Sequence, residues 1–316
     1  MPVSGSTNYS DTTGNIINDA YNILTVYGAS EAIDASDYDL ALRILNRMMK
    51  AWQNMGLNLW LKKTAYIFLQ KGQIEYTLKS TSTDHATLDY EETTLGAAAA
   101  IGATTLTVTS SSGMTIGDHI GIENDSNYLF WTTITNIPST TSVIINNALT
   151  IASSIGLKVY SYTTDLDEPF NVYSAVREID SEIDTPMNYL SYEEYFVLPN
   201  KTITGIPVSY NYDRQLGQGV IKVWPVPEDV DVIMKITMSV KVDDVDVLVN
   251  LPDYPQEWFE AITLNLAARL AAPFGKSSVP AYQTLKQDAD AALDAVMIFD
   301  NEQGSLFLQP DFSGGR

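Results

Sequence analysis

The chain has 316 residues, 45% of them hydrophobic and 10% aromatic, with a mean hydropathy of -0.05; this composition can build a core and excludes wholesale disorder. Thirty-nine acidic against 18 basic side chains leave a net charge of -21, which excludes a broad grip on nucleic-acid phosphates. There is no cysteine and there are two histidines, His85 and His119, so a disulfide scaffold, a thiolate zinc site and a cysteine nucleophile are ruled out and little remains for histidine-based metal binding.

Residues 1–11 are polar and lack a basic segment followed by an apolar one, so no signal peptide is expected. No apolar run approaches the roughly 18–20 residues of a membrane span. The expectation is a soluble, acidic protein made inside the cell.

Ile16, Ala20, Ile23, Leu24 and Tyr27 recur at three- and four-residue steps and predict a helix stopped by Gly28. A second helix is expected from Ser36, whose hydroxyl can cap it, with Asp39 three residues on. Leu40, Ile44, Leu45, Met48, Trp52 and Met55 form its apolar stripe and Gly56 ends it. Such a stripe is helix–helix core in preference to a cofactor box.

Beyond Gly56 the period changes. Runs at 64–69 and 74–78, separated by Gln70-Lys71-Gly72-Gln73, predict a β-hairpin. Strands are expected at 105–109, 119–123, 128–134, 142–145 and 158–162. Net charge over 1–92, 93–165, 166–250 and 251–316 is -4, -3, -9 and -5. The second stretch, rich in Thr, Ser, Ala and Gly and carrying one basic side chain, reads as an inserted small β-sandwich or barrel.

Further strands are expected at 171–179, 206–212, 220–224 and 230–240, with a short capped helix at 191–197. Pro255 opens a helix through Trp258, Ala261, Ile262, Leu266 and Leu270, with Gly275 beyond its end, and a last helix covers 280–300. The fold class expected is α+β. Residues 1–60 and 251–300 form a helical bundle with Ile44, Met48, Trp52, Trp258, Ile262 and Leu266 in its core. An antiparallel β region (61–92 and 166–250) protrudes from it, carrying the inserted domain 93–165, and 301–316 is a flexible tail.

Two acidic clusters, Asp165, Asp167 and Glu168, and Asp243, Asp244 and Asp246, are candidates for a glycosidase acid–base pair or a calcium site. Solvated acidic turns are the favoured reading. Gly217-Gln218-Gly219 joins two strands and lacks the rest of a dinucleotide fingerprint, and no EF-hand, Walker A or GxSxG pattern occurs. His85 and His119 are read as surface or satisfied, partly buried groups. Eighteen Tyr, 9 Phe and 5 Trp with few basic neighbours fit packing and protein interfaces better than base stacking. No catalytic residue, cofactor or metal is expected; elimination points to assembly.

Two stretches carry a resemblance. Ser110-Ser111-Ser112-Gly113-Met114-Thr115-Ile116-Gly117-Asp118-His119-Ile120-Gly121-Ile122, running on to Phe130-Trp131-Thr132-Thr133-Ile134, resembles a β-module of structural proteins from short-tailed bacteriophages. The second comprises Gly205-Ile206-Pro207, Asp213-Arg214, Val223-Trp224-Pro225-Val226-Pro227 and Leu251-Pro252. It continues through Glu257-Trp258, Glu260-Ala261-Ile262, Asn265-Leu266-Ala267 and Gly275-Lys276. This resembles the C-terminal half of the podovirus head-to-tail adaptor, also called tail accessory factor or head-completion protein. Asp39-Leu40-Ala41-Leu42-Arg43-Ile44-Leu45-Asn46, leading to Met49, Trp52 and Gly56, is similar to that family's opening.

The resemblance implies a non-enzymatic virion part in the tail or neck, assembled in the bacterial cytoplasm. Its subunits form a ring of about twelve, with the portal-facing helical bundle as the ring body wedged against its neighbours through heterologous, closing contacts. The ring binds the portal protein, extends the DNA channel and seats the next tail component, a nozzle or tail-fibre protein. DNA passes without sequence-specific contact, along an acidic wall drawn from 166–250 and the last helix, and no membrane is involved. Leu306, Phe307, Leu308 and Phe312 are then a portal-docking segment; on composition alone the same residues fit a mobile end. Two other functions stay open: a carbohydrate-binding or adhesin-like β-module, and a glycosidase built on the Asp clusters.

Overall fold

The computed structural model describes residues 9–27, 31–55, 59–179, 183–278 and 280–300. The chain divides into two units, Met1–Trp60 with Val242–Arg316, and Leu61–Lys241. The portal-docking residues Leu306, Phe307, Leu308 and Phe312, like Gly28 and Gly56, lie outside the described residues.

In the first unit α1 (Thr13–Leu24) starts where the Thr12 hydroxyl accepts the Asn15 N–H at 3.3 Å, and it buries Ile16, Ile17, Ala20, Tyr21 and Leu24. It ends at Thr25, which takes a left-handed φ of 50° and returns its N–H to the Asn22 carbonyl, three positions before Gly28. α2 (Ala35–Gln53) opens after Asp34 and not at Ser36, because the Asp34 carbonyl already accepts the N–H groups of Asp37 and Tyr38. Met55 lies past its end, half exposed.

A 3-10 turn (Gln256–Trp258) leads into α4 (Phe259–Leu270), which packs against α1, α2 and α5 (Pro280–Phe299). That central place explains why α4 buries Phe259, Ala261, Ile262, Asn265, Leu266, Ala267 and Leu270. Buried Asn265 donates to the carbonyls of Ala261 and Ala289 at 2.9 and 2.8 Å, tying α4 to α5. The rings of Trp52, Trp60, Tyr254 and Trp258 meet at centroid distances of 5.1 to 6.2 Å. Of the expected core residues Met48, Trp52, Trp258, Ile262 and Leu266 are buried; Ile44 is half-buried.

The second unit holds three sheets. The first has the order β11-β10-β15-β1-β3, from β1 (Lys62–Phe68), β3 (Ala86–Thr87), β10 (Asn171–Ile179), β11 (Ile183–Pro186) and β15 (Val232–Ser239). β15 pairs antiparallel with β1 from Lys62↔Ser239 to Phe68↔Ile233, and with β10 on its other side. The second sheet, β12-β13-β14-β2, is built from β2 (Glu75–Leu78), β12 (Asn188–Tyr189), β13 (Ser209–Gln215) and β14 (Gln218–Trp224). A short helix, α3 (Tyr192–Phe196), follows β12 behind a Ser191–Glu194 capping box. Ala65 and Ile67 of β1 and Met234, Ile236 and Met238 of β15 share one core with Tyr76 and Leu78 of β2 and Ile221 and Val223 of β14. Alternate residues of the two sheets therefore face each other.

The third sheet, β4-β9-β6-β7-β8-β5, uses β4 (Glu91–Thr94), β5 (Thr105–Thr107), β6 (His119–Glu123), β7 (Leu129–Ser139), β8 (Ser142–Ile145) and β9 (Lys158–Tyr162). Its own core includes Leu106, Val108, Ile120, Ile122, Ile134, Val143, Ile145 and Val159.

The architecture corrects two expectations. The protein is predominantly β, with sheets of five, four and six strands, and is not a helical bundle bearing a small inserted β-sandwich or barrel. Amphipathic helices with 3.6-residue stripes dominate a reading of the sequence, whereas nine of the fifteen strands among the described residues have only two to five residues and leave little periodicity to count. The 64–78 hairpin does not form either: β1 pairs with β15 and β3, and β2 pairs with β14. Gln70–Gln73 is a corner between two sheets, held by the Gly72 N–H on the Pro227 carbonyl and by the Gln70 N–H on the Tyr76 hydroxyl, each at 2.8 Å. Local turn chemistry is the same for a hairpin and a sheet-crossing corner; the shared core selects the corner.

Replacing Trp258 with Ala removes the ring that touches Trp52, Trp60 and Tyr254, and should destabilise the helical unit by about 3–5 kcal/mol. Urea unfolding followed by helical circular dichroism measures it; a loss under about 1 kcal/mol would remove the cluster from its place at the centre of that core.

Candidate functional site

Among the described residues, a group of chemically able side chains lies where the first and third sheets meet. His119 opens β6 opposite Tyr162 of β9, and Asp165 follows three residues after Tyr162. His85 precedes β3, and its carbonyl accepts the Phe68 N–H at 3.1 Å, which fixes its backbone against β1. Three distant stretches of sequence thus bring two imidazoles and a carboxylate together.

The Tyr162 hydroxyl sits at the middle. It lies 2.6 Å from His85 Nδ1 and donates to Asp165 Oδ1 at 2.7 Å. A phenol has one proton, so His85 Nδ1 carries the hydrogen of the first bond and the imidazole is in the Nδ1–H tautomer. His119 Nε2 stands 3.5 Å from Asp165 Oδ2, and the His119 ring stacks on Tyr162 at 5.0 Å and 19°. His85 stacks on Trp131 at 3.9 Å and 14°. Burial, and then the neighbouring His119, push the His85 pKa down to about 3, so this ring is neutral at ordinary pH. Burial, and then the bond to Asp165, raise the Tyr162 phenol and keep it a donor.

The motif from Gly117 to Gly121 explains how the site is built. Gly117 has a φ of 100°, which favours glycine at the turn into β6. Buried Asp118 accepts from the Thr115 N–H and hydroxyl at 2.7 and 2.6 Å and from the Thr163 hydroxyl at 2.9 Å, pinning the first residue of β6 to the end of β9. Gly121 is cross-strand from Trp131, and a Cβ there would stand 2.7 Å from the indole. Glycine lets the ring lie flat over the strand and reach His85.

Of the acidic candidates, Asp165 joins this cluster. Asp167 accepts the Glu168 N–H. Glu168 is not a solvated turn residue: it is buried, bonded by the Lys241 ammonium, and lies 3.8 Å from Arg214 Nε. Asp243, Asp244 and Asp246 are exposed, and the Asp244–Lys50 pair at 3.0 Å is a surface contact of small energetic weight. Gly217 makes the turn between β13 and β14 with a φ of 81°. A separate cleft of about 250 Å³ is lined by Ile74, Glu75, Tyr192, Tyr195, Phe196, Lys201 and Lys222. Sequence reasoning treats His85 and His119 one at a time and misses their meeting. The one available signal is the pairing of 119–123 with 158–162, which sets His119 beside Tyr162 and so near Asp165.

No family model matches the chain, and no curated protein matches it. Among solved structures one similarity is to VP17, a capsid protein of bacteriophage P23-77, at 12% identity over 56% of this chain and 82% of that chain, with a TM-score of 0.12. A score this low describes no shared fold and carries no argument. Among the described residues no helix is long and apolar enough to cross a membrane.

Trp131 is stacked on His85 and packed against Phe68, the latter at 5.1 Å, and these contacts oppose its displacement. Gly121→Ala should therefore cost about 1–3 kcal/mol and shift the Trp131 emission, read by thermal unfolding with fluorescence detection. An unchanged melting temperature and spectrum would mean the indole is free to move.

Proposed function

We propose that the chain is a structural subunit of a bacteriophage virion, a head-to-tail connector that forms a ring beneath the portal, extends the DNA channel and seats the next tail component. One observation supports this most. β11, an edge of the five-stranded sheet, and β12, an edge of the four-stranded sheet, both fall within residues 183–189, and the stretch 183–208 exposes Ile183, Tyr189, Tyr192, Phe196, Val197, Ile203, Ile206 and Val208. Unpaired strand edges joined to a run of exposed apolar side chains are costly for a lone soluble chain and suit burial against a neighbour. Here the occupant is the next copy in the ring, a heterologous contact made by the β unit.

The charge agrees with the reading. Residues 166–250 carry -9 of the total -21, and a wall of the phosphate's own sign lets DNA slide past. Ile298 and Phe299 are exposed at the end of α5, directly before the tail that carries Leu306, Phe307, Leu308 and Phe312. That end is assigned to the portal.

Mixed with the portal protein of the same genome, the chain should give rings in negative-stain images, even if it is monomeric alone. Phe196→Glu with Val197→Asp changes two exposed positions, so the variant should fold as the wild type and lose ring assembly by about tenfold or more. No ring with portal present, or full assembly by the double variant, would overturn the reading.

A further inference from the structure

We propose that His85, His119 and Asp165 form a binding site for one divalent transition-metal ion of the zinc class. One ligand atom from each residue lies within 4.8 Å of the others. Three such atoms share a point no farther than about 2.8 Å from each, so closing to zinc bond lengths of about 2.0–2.2 Å needs side-chain shifts under an ångström. Two imidazole nitrogens and one carboxylate oxygen are donors that zinc, cobalt and nickel accept and that magnesium and calcium do not prefer.

The surroundings fit a metal site as well as the donors do. Tyr162 bonds both His85 and Asp165, the kind of outer contact that orients ligands. The side chains of His119 and Asp165 keep 31% and 18% exposure, which leaves an entry path and room for a water as fourth ligand. With two histidines and no cysteine in the whole chain, both imidazoles are spent on this one place.

The position gives the ion a task. His85 precedes the chain's entry into the six-stranded sheet, His119 begins a strand within it, and Asp165 follows its exit at Tyr162. A metal bound to all three clamps both connections to the sheet they serve, and stabilises the folded state in proportion to its occupancy.

Tag-free, chelator-treated full-length protein titrated with Zn²⁺ in a calorimeter should bind one ion per chain at micromolar or lower concentration. Co²⁺ should give a visible d–d band, and either ion should raise the melting temperature. His119→Gln and Asp165→Asn, both at partly exposed positions, should each weaken binding about tenfold or more while circular dichroism stays native. Absence of heat and of a cobalt band up to about 1 mM metal would refute the site. So would binding undiminished in both folded variants; if one variant fails to fold, the other decides.

Discussion

The seam between the five- and six-stranded sheets of the β unit is built around one aromatic side chain. Phe68 ends β1, where it pairs with Ile233 of β15, so its backbone belongs to the five-stranded sheet. Its ring belongs to the other side of the seam: it meets Tyr90, Trp131, Tyr160 and Tyr162 at centroid distances of 5.1 to 6.0 Å. Leu129, Val230 and Ile233 close the cluster. Aromatic rings of this size each remove about 150–250 Å² from water. Two covalent links join the six-stranded sheet to the rest of the unit, and links alone leave a module free to swing. The ring contacts convert them into a fixed mount, and the His85–Tyr162–Asp165–His119 cluster is seated on that mount.

The proposed ring subunit would need such a fixed mount. A ring closes only if each subunit presents its two mating surfaces at a constant angle. The exposed stretch 183–208 begins with the outer strands of two sheets that share one core, so its backbone is held at β11, β12 and the capped α3 while its apolar side chains face outward. The same economy explains the buried Glu168 between Lys241 and Arg214: in a chain with so few cations, two of the 18 are spent on one internal carboxylate. Removing both cations would leave a buried charge unpaired, which is costly.

Much of the local structure was legible in the sequence. The strands at 119–123, 142–145, 158–162 and 171–179 coincide with β6, β8, β9 and β10, because alternation and turn residues are local signals. The Ser191–Glu194 cap was legible for the same reason. What was not legible is partnership. Nothing near Gln70–Gln73 says that β1 and β2 go to different sheets, and nothing near Asp165 or His85 says that they meet through Tyr162. The motif Gly117-Asp118-His119-Ile120-Gly121 lay in plain view, yet the reason for each residue depends on Thr163, Trp131 and Tyr162, which sit elsewhere in the chain. The overall class escapes the sequence on the same ground: long helices advertise themselves over whole turns, and short strands declare their sheet only once paired.

Native-state amide hydrogen exchange on the wild type and on Phe68→Ala tests the seam most directly. If the aromatic mount makes the five- and six-stranded sheets one cooperative body, the slowest amides of β15 and of β6 open with the same free energy in the wild type. In the Phe68→Ala protein they should separate, each sheet keeping its own protection. Unequal opening in the wild type, or equal opening that survives the loss of the ring, would contradict the account.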